Sequence, residues 1–108
     1  MRIISRKALR EFWEIYPQAK DPLSAWFRLM ERSEFTDFNA IKRTFGAADY
    51  VAPYTVFDIS GNKFRIIAAI HYNRNRAYIR HVFTHPEYDQ WSHKMRKQKR
   101  MQRKRAKP

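Results

Sequence analysis

Apolar residues in the first third of the chain recur at intervals of three and four. Ala8, Leu9, Phe12, Trp13 and Tyr16 form one stripe, with Ser5 in N-cap position ahead of it and Pro17 ending it. Leu23, Trp26, Phe27, Met30 and Phe35 form a second, with Asp21 as its expected cap and Pro22 at the first helical position. The two stripes predict an antiparallel helix pair joined through Gln18, Ala19 and Lys20. A shorter helical turn follows over residues 38–45, with Ile41 and Phe45 facing inward and Gly46 ending it. Before all of these, Arg2-Ile3-Ile4 has the character of a short strand.

The period changes after Pro53. Residues 54–59, 63–72 and 77–84 are rich in β-branched and aromatic side chains and read as three strands of a meander. Ser60-Gly61-Asn62 supplies the chemistry of the first turn and Asn73-Arg74-Asn75-Arg76 that of the second. From Pro86 the helical period returns, with Tyr88, Trp91 and Met95 on one face. The predicted architecture is an α+β domain: an N-terminal strand and two helices packed on an antiparallel sheet, then a basic C-terminal helix or tail.

Strand alternation makes the hairpin register decide which side chains share a face. Pairing Tyr72 with Ala77, or Asn73 with Arg76, belongs to one series that sets Arg65 opposite Thr84 and Arg80 opposite Ala69. One face then carries Phe64, Ile66, Ala68, Ile70, Tyr72, Ile79, His81 and Phe83, suited to covering by helices. The other carries Lys63, Arg65, Ile67, Ala69, His71, Tyr78, Arg80 and Val82, and is expected to stay open.

Charge adds a partner to this picture. The 108 residues suit a single domain, and the net charge of +13 points to polyanions. Residues 1–91 hold 14 Lys and Arg and all 10 acids, while the last 17 residues hold nine Lys and Arg and no acid. The body is therefore mildly basic and the tail a polycation, which divides the chain into a domain over 1–92 and a basic extension, helical or disordered, over 93–108. No run approaches the roughly 20 apolar residues of a membrane span. The absence of cysteine removes thiolate chemistry and suits a reducing cytoplasm. With only Gly46 and Gly61 in the chain, no phosphate-binding glycine loop or dinucleotide fingerprint is present, and no cofactor is expected.

The candidate chemistry lies between residues 57 and 88. Two arginines on one sheet face can hold a phosphodiester and stabilise the charge that develops on it in a transition state. RNA brings its own nucleophile, the 2′-OH, so cleavage without a metal needs a base for that proton and an acid for the leaving oxygen, each contributing about 10²–10⁴-fold. Arg65, Arg80, His85, Glu87 and Tyr88 supply these residue types and are the catalytic candidates. Lys63, His71, Arg74 and Arg76, with Lys94, Arg96 and Lys97 of the tail, are candidates for binding RNA. Thr84-His85-Pro86-Glu87 also fits a capping box in which Glu87 reaches back to the Thr84 amide, and Tyr88 lies one turn from Trp91 as a core residue would. His81 and His93 read as structural or tail residues. No metal-ligand constellation is evident.

These same residues carry a resemblance. Ala48-Asp49, Val56-Phe57-Asp58-Ile59, Gly61-Asn62-Lys63-x-Arg65, Tyr78-Ile79-Arg80 and Thr84-His85-x-Glu87-Tyr88-Asp89, in this order, resemble the HigB family of bacterial toxins over residues 1 to 92. The resemblance implies a RelE-like microbial-RNase fold and a translation-dependent, metal-independent endoribonuclease that cuts mRNA on the ribosome. It also implies a cognate HigA-type antitoxin with a helix-turn-helix domain, through which operator DNA would be contacted. Carried to matching positions, it marks Lys63, Arg65, Arg80, His85 and Glu87, with Tyr88 as a further member. The competing class is a non-catalytic RNA-binding or ribosome-associated protein, in which the arginines merely hold phosphate. A tail that serves as a DNA-binding arm is a third reading.

Overall fold

In the computed structural model of the chain, which describes residues 1–106 and the side chains of residues 1–98, helices and strands follow the change of period closely. Strand β1 (Arg2–Ile4) leads into helix α1 (Arg6–Ile15), whose first turn is capped by the Ser5 hydroxyl accepting the Lys7 N–H at 3.1 Å. One 3₁₀ turn, Pro17–Ala19, runs directly into helix α2 (Lys20–Arg32). That turn corrects the expected cap. Ala19 already has helical backbone angles, so the helix starts ahead of Asp21, whose carboxylate sits in the first turn near the positive end of the helix dipole. Helix α3 (Phe38–Thr44) is capped by Asp37, which accepts the Ala40 N–H at 2.9 Å.

The sheet has five strands in the order β1-β5-β4-β3-β2. Strands β2 (Asp49–Val51), β3 (Tyr54–Ile59), β4 (Phe64–His71) and β5 (Arg76–Thr84) form an antiparallel series, and β1 adds to β5 in parallel. The expected antiparallel sheet is thus a mixed one, with β2 as a strand the sequence reading omitted. At the β3–β4 turn, Ser60 and Gly61 both take left-handed backbone angles (φ 55° and 68°), which glycine adopts without steric cost.

Helices α1, α2 and α3 cover one face. Leu9 and Phe12, Leu23, Trp26 and Met30, and Ile41 pack on Ile3, Phe57, Ile59, Phe64, Ile66, Ala68 and Ala77. Phe12 meets the Phe64 ring edge-on at 5.5 Å, and Trp26 and Phe45 both meet Phe57 at 5.2 Å. Each fully buried large apolar side chain contributes about 1.5–3 kcal/mol, so this layer holds the fold.

The β4–β5 register differs from the expected one. His71 pairs with Arg76 and Ala68 with Ile79; a β-bulge then intervenes, after which Ile67 pairs with His81, Arg65 with Phe83 and Phe64 with Thr84. A 3₁₀ turn at Tyr72–Arg74, closed by Asn75 in the left-handed region, turns the chain earlier than the assumed loops. Arg65 therefore faces Phe83 rather than Thr84, Ala69 pairs with Tyr78 rather than Arg80, and Arg80 is left as the extra residue of the bulge. The bulge moves His81 and Phe83 to the second face and Val82 to the helix-covered one. The placements of Phe64, Ile66, Ala68, Ile70 and Ile79 towards the helices agree with the sequence reading.

The second face is not open throughout. Helix α4 (His85–Ala106) crosses it, and Trp91 packs against Tyr54, His81, Phe83 and Tyr88 with ring separations of 5.9–6.3 Å. Val56 and Ile67, which point to this face, are enclosed. Tyr88, Trp91 and Met95 are half-buried and share the inward face of α4, as their spacing predicts. The basic extension expected over 93–108 lies in α4 as far as Ala106, and residues 107 and 108 fall outside the described residues. Among the described residues, no helix is long and apolar enough to cross a membrane.

Candidate functional site

Arg65 stands at the centre of a tightly constrained polar group. The β3–β4 register sets it directly opposite Asp58, and its Nε donates to Asp58 Oδ1 at 3.0 Å. The Tyr88 ring of α4 lies over the guanidinium, 5.0 Å from its carbon, a favourable cation–π distance. The arginine side chain is only 12% exposed and Asp58 27%. Enclosed Nη1 has no hydrogen-bond partner. Two strands and a helix thus fix the plane of this cation while leaving part of its donor fork unmatched.

The strand-to-helix corner beside it is equally defined. The Thr84 amide and hydroxyl both donate to Glu87 Oε1 at 2.8 Å, so Glu87 makes the backward bond of the expected capping box. The His85 amide donates to the Lys63 carbonyl at 3.0 Å, which latches the start of α4 to the end of the β3–β4 turn. Asp89, one turn along, holds His85 Nδ1 at 3.1 Å. Its carboxylate orients the imidazole and leaves Nε2 for another partner.

Further along β5, His81 stacks on Phe83 with ring centroids 4.9 Å apart and planes 11° from parallel. Burial, and then the neighbouring Arg80 charge, push its pKa below the usual histidine value. Arg80 is exposed, with its guanidinium 5.6 Å from the Tyr78 ring.

The predicted residues divide accordingly. Lys63, Arg65, His85, Glu87 and Tyr88 converge on one corner. Arg80 lies three positions from Phe83 on β5, about 10 Å away at ~3.3 Å per residue. His71, Arg74 and Arg76 are exposed at the other end of the sheet, roughly 20 Å from Arg65 by the same rise. Lys94, Arg96 and Lys97 are exposed on α4. Among the described residues, no group of three or more His, Asp or Glu side chains is placed to hold a metal ion.

Sequence reasoning missed Asp58 and the orienting role of Asp89. Asp58 had a signal: a four-residue loop over 60–63 pairs Ile59 with Phe64 and so sets 58 against 65. His81, read as structural, lies against Phe83 and Trp91, and the bulge that moves it to this face leaves no mark in the residue pattern.

A cation fixed beneath an aromatic ring, with a carboxylate-oriented imidazole on the adjoining helix, is an arrangement chemically suited to an anion on this α+β scaffold. Residues 19–91 match the HigB toxin family, the RelE-like toxic component of a toxin–antitoxin system. A protein named mRNA interferase toxin HigB, from Escherichia coli K12, is 35% identical over 92 residues, spanning 82% of this chain and 88% of its own length. The mRNA interferase HigB of Shigella flexneri matches to the same extent, and that of Escherichia coli O6:H1 is 28% identical over 92% of this chain and 99% of its own length. The chain belongs to the HigB family of toxins.

Proposed function

We propose that this protein is a ribosome-dependent mRNA endoribonuclease on a RelE-like microbial-RNase fold, held in check by a HigA-type antitoxin. The observation that carries the reading is the Arg65 site. A guanidinium oriented by Asp58 and covered by Tyr88 sets a fixed positive charge at this corner, and a phosphodiester placed there is stabilised by that charge through the 12% of the side chain that stays exposed. The interferase names of the relatives agree with it.

In this mechanism the mRNA 2′-OH attacks the adjacent phosphate, and Arg65, with Lys63, stabilises the added negative charge. A base takes the 2′ proton and an acid returns one to the departing 5′ oxygen. His85, oriented by Asp89, and His81, whose imidazolium is disfavoured by partial burial and the Arg80 charge, are the groups suited to moving these protons. Tyr88 covers Arg65 and shapes the site. Glu87 serves the start of α4 first, with one oxygen committed to Thr84, and its other oxygen remains for catalysis. Arg80 holds a neighbouring phosphate. The cytoplasm, where translation takes place, is the corresponding location. Residues 1–92 form the catalytic domain, and the basic residues beyond it bind ribosomal RNA.

Arg65→Ala and His85→Ala should each abolish growth arrest on induced expression while leaving antitoxin binding intact in co-purification. Full toxicity in both variants would refute the catalytic assignment and favour simple RNA binding.

A further inference from the structure

The pairing of β1 with β5 produces a second charged feature, far from Arg65. Cα partners are Arg2 with Arg76, and Arg76 with His71, so three basic side chains stand in one row across three strands. The neighbouring row confirms the face: Ile3 pairs with Ala77, and both are buried beneath the helices, so Arg2 and Arg76 point the other way. All three row members are exposed. Among the described residues, neither Arg2 nor Arg76 makes an ion pair. Tyr78, two positions along β5, meets the His71 ring edge-on at 5.0 Å and carries Arg80 on its own ring.

Like charges set directly opposite one another in a sheet are destabilising. The row is nevertheless built firmly. Met1 is buried in the core, its amine donates to the Met30 carbonyl at 3.1 Å, and the Arg2 amide donates to the Asn75 carbonyl at 2.9 Å. Two arginines held side by side without carboxylates suit a phosphodiester, which accepts charge-assisted hydrogen bonds from both.

We propose that Arg2, Arg76 and His71 form a phosphate-binding subsite that grips RNA backbone at the opposite end of β5 from the candidate catalytic corner. The eight steps from Arg76 to Thr84 separate the two by about 26 Å. Tyr78, between the row and Arg80, offers a ring on which a base can stack. The subsite deepens the RNA-cleaving reading, since it gives the substrate strand or the surrounding ribosomal RNA a second anchor, but its chemistry is binding alone.

The experiment measures the affinity of the intact protein for a short single-stranded RNA, and separately for ribosomes, across a range of salt concentrations. The proteins compared are the parent, Arg2→Gln, Arg76→Gln and Arg28→Gln, the last removing an exposed arginine of α2. Each row substitution should weaken binding several-fold and reduce the slope of log affinity against log salt by about 0.7, the loss of one phosphate contact. Arg28→Gln should change neither. A response confined to free RNA identifies the bound strand as substrate, and one confined to ribosomes identifies it as ribosomal RNA; either supports the subsite. Unchanged slopes in both row variants, or an equal response from Arg28→Gln, would overturn it. Thermal melts check that the row variants stay folded, and relief of the Arg2–Arg76 repulsion should leave them no less stable than the parent. In an Arg65→Ala background, which loses cleavage, Arg2→Gln and Arg76→Gln should still each lower the slope, so loss of cleavage and loss of the subsite are read separately.

Discussion

At the scale of single residues, the site depends on side chains whose partners are already chosen. Arg65 takes Asp58 and Tyr88, His85 takes Asp89, and Glu87 takes Thr84. His81 ties the stability of the fold to pH. Its pKa in the fold lies below its unfolded value because burial and Arg80 disfavour the imidazolium. Its contribution to stability is therefore present above the unfolded pKa, near 6.5, and is lost as pH falls through the lowered folded value. Melting temperature should decline as pH falls below neutral more steeply in the parent than in His81→Asn. Parallel curves would remove His81 as a group held neutral.

At the scale of elements, α4 is both the lid of the second face and the carrier of site residues. Trp91 anchors it to Tyr54, His81 and Phe83, above Val56 and Ile67. Trp91→Ala should cost about 2–4 kcal/mol in urea denaturation, near the lower range for large-to-small aromatic changes because the side chain is half-buried. It should also free Tyr88 from its position over Arg65. Periodicity made nearly every element legible: the capped α1, the α2 stripe, the short α3 and the three long strands. Strand β2 escaped because Asp49-Tyr50-Val51 is too short to show alternation. The start of α2 moved because a 3₁₀ turn extended the helix past its expected cap. The bulge had the largest consequence, since one extra residue at Arg80 exchanged the faces of Val82, His81 and Phe83. The expected residues Lys63, Arg65, His85, Glu87 and Tyr88 do meet at one corner and Arg80 does not, while the union of Arg65 with Asp58, and of Arg2 with Arg76, is a product of strand pairing.

At the scale of the whole molecule, charge is divided between a mildly basic body and a strongly basic C-terminal segment, with further cations in the sheet row. This arrangement fits a protein that finds a large RNA surface by electrostatics and places a small corner of fixed groups upon one phosphate. Deleting residues 96–108 should weaken ribosome binding most at low salt and flatten its salt dependence, as seen in co-sedimentation. Binding unchanged at every salt concentration would make the segment incidental. Cleavage by the 2′-OH of the message itself leaves diagnostic ends. Attack by the 2′-OH leaves a 2′,3′-cyclic phosphate on one fragment and a 5′-hydroxyl on the other. The most direct measurement maps the ends of mRNA fragments after induced expression, with translation active or blocked at initiation. Cyclic-phosphate and 5′-hydroxyl ends that appear only on translated messages, and vanish in Arg65→Ala, are the predicted result. Fragments bearing 5′-phosphates, or cleavage that persists without translation, would contradict it.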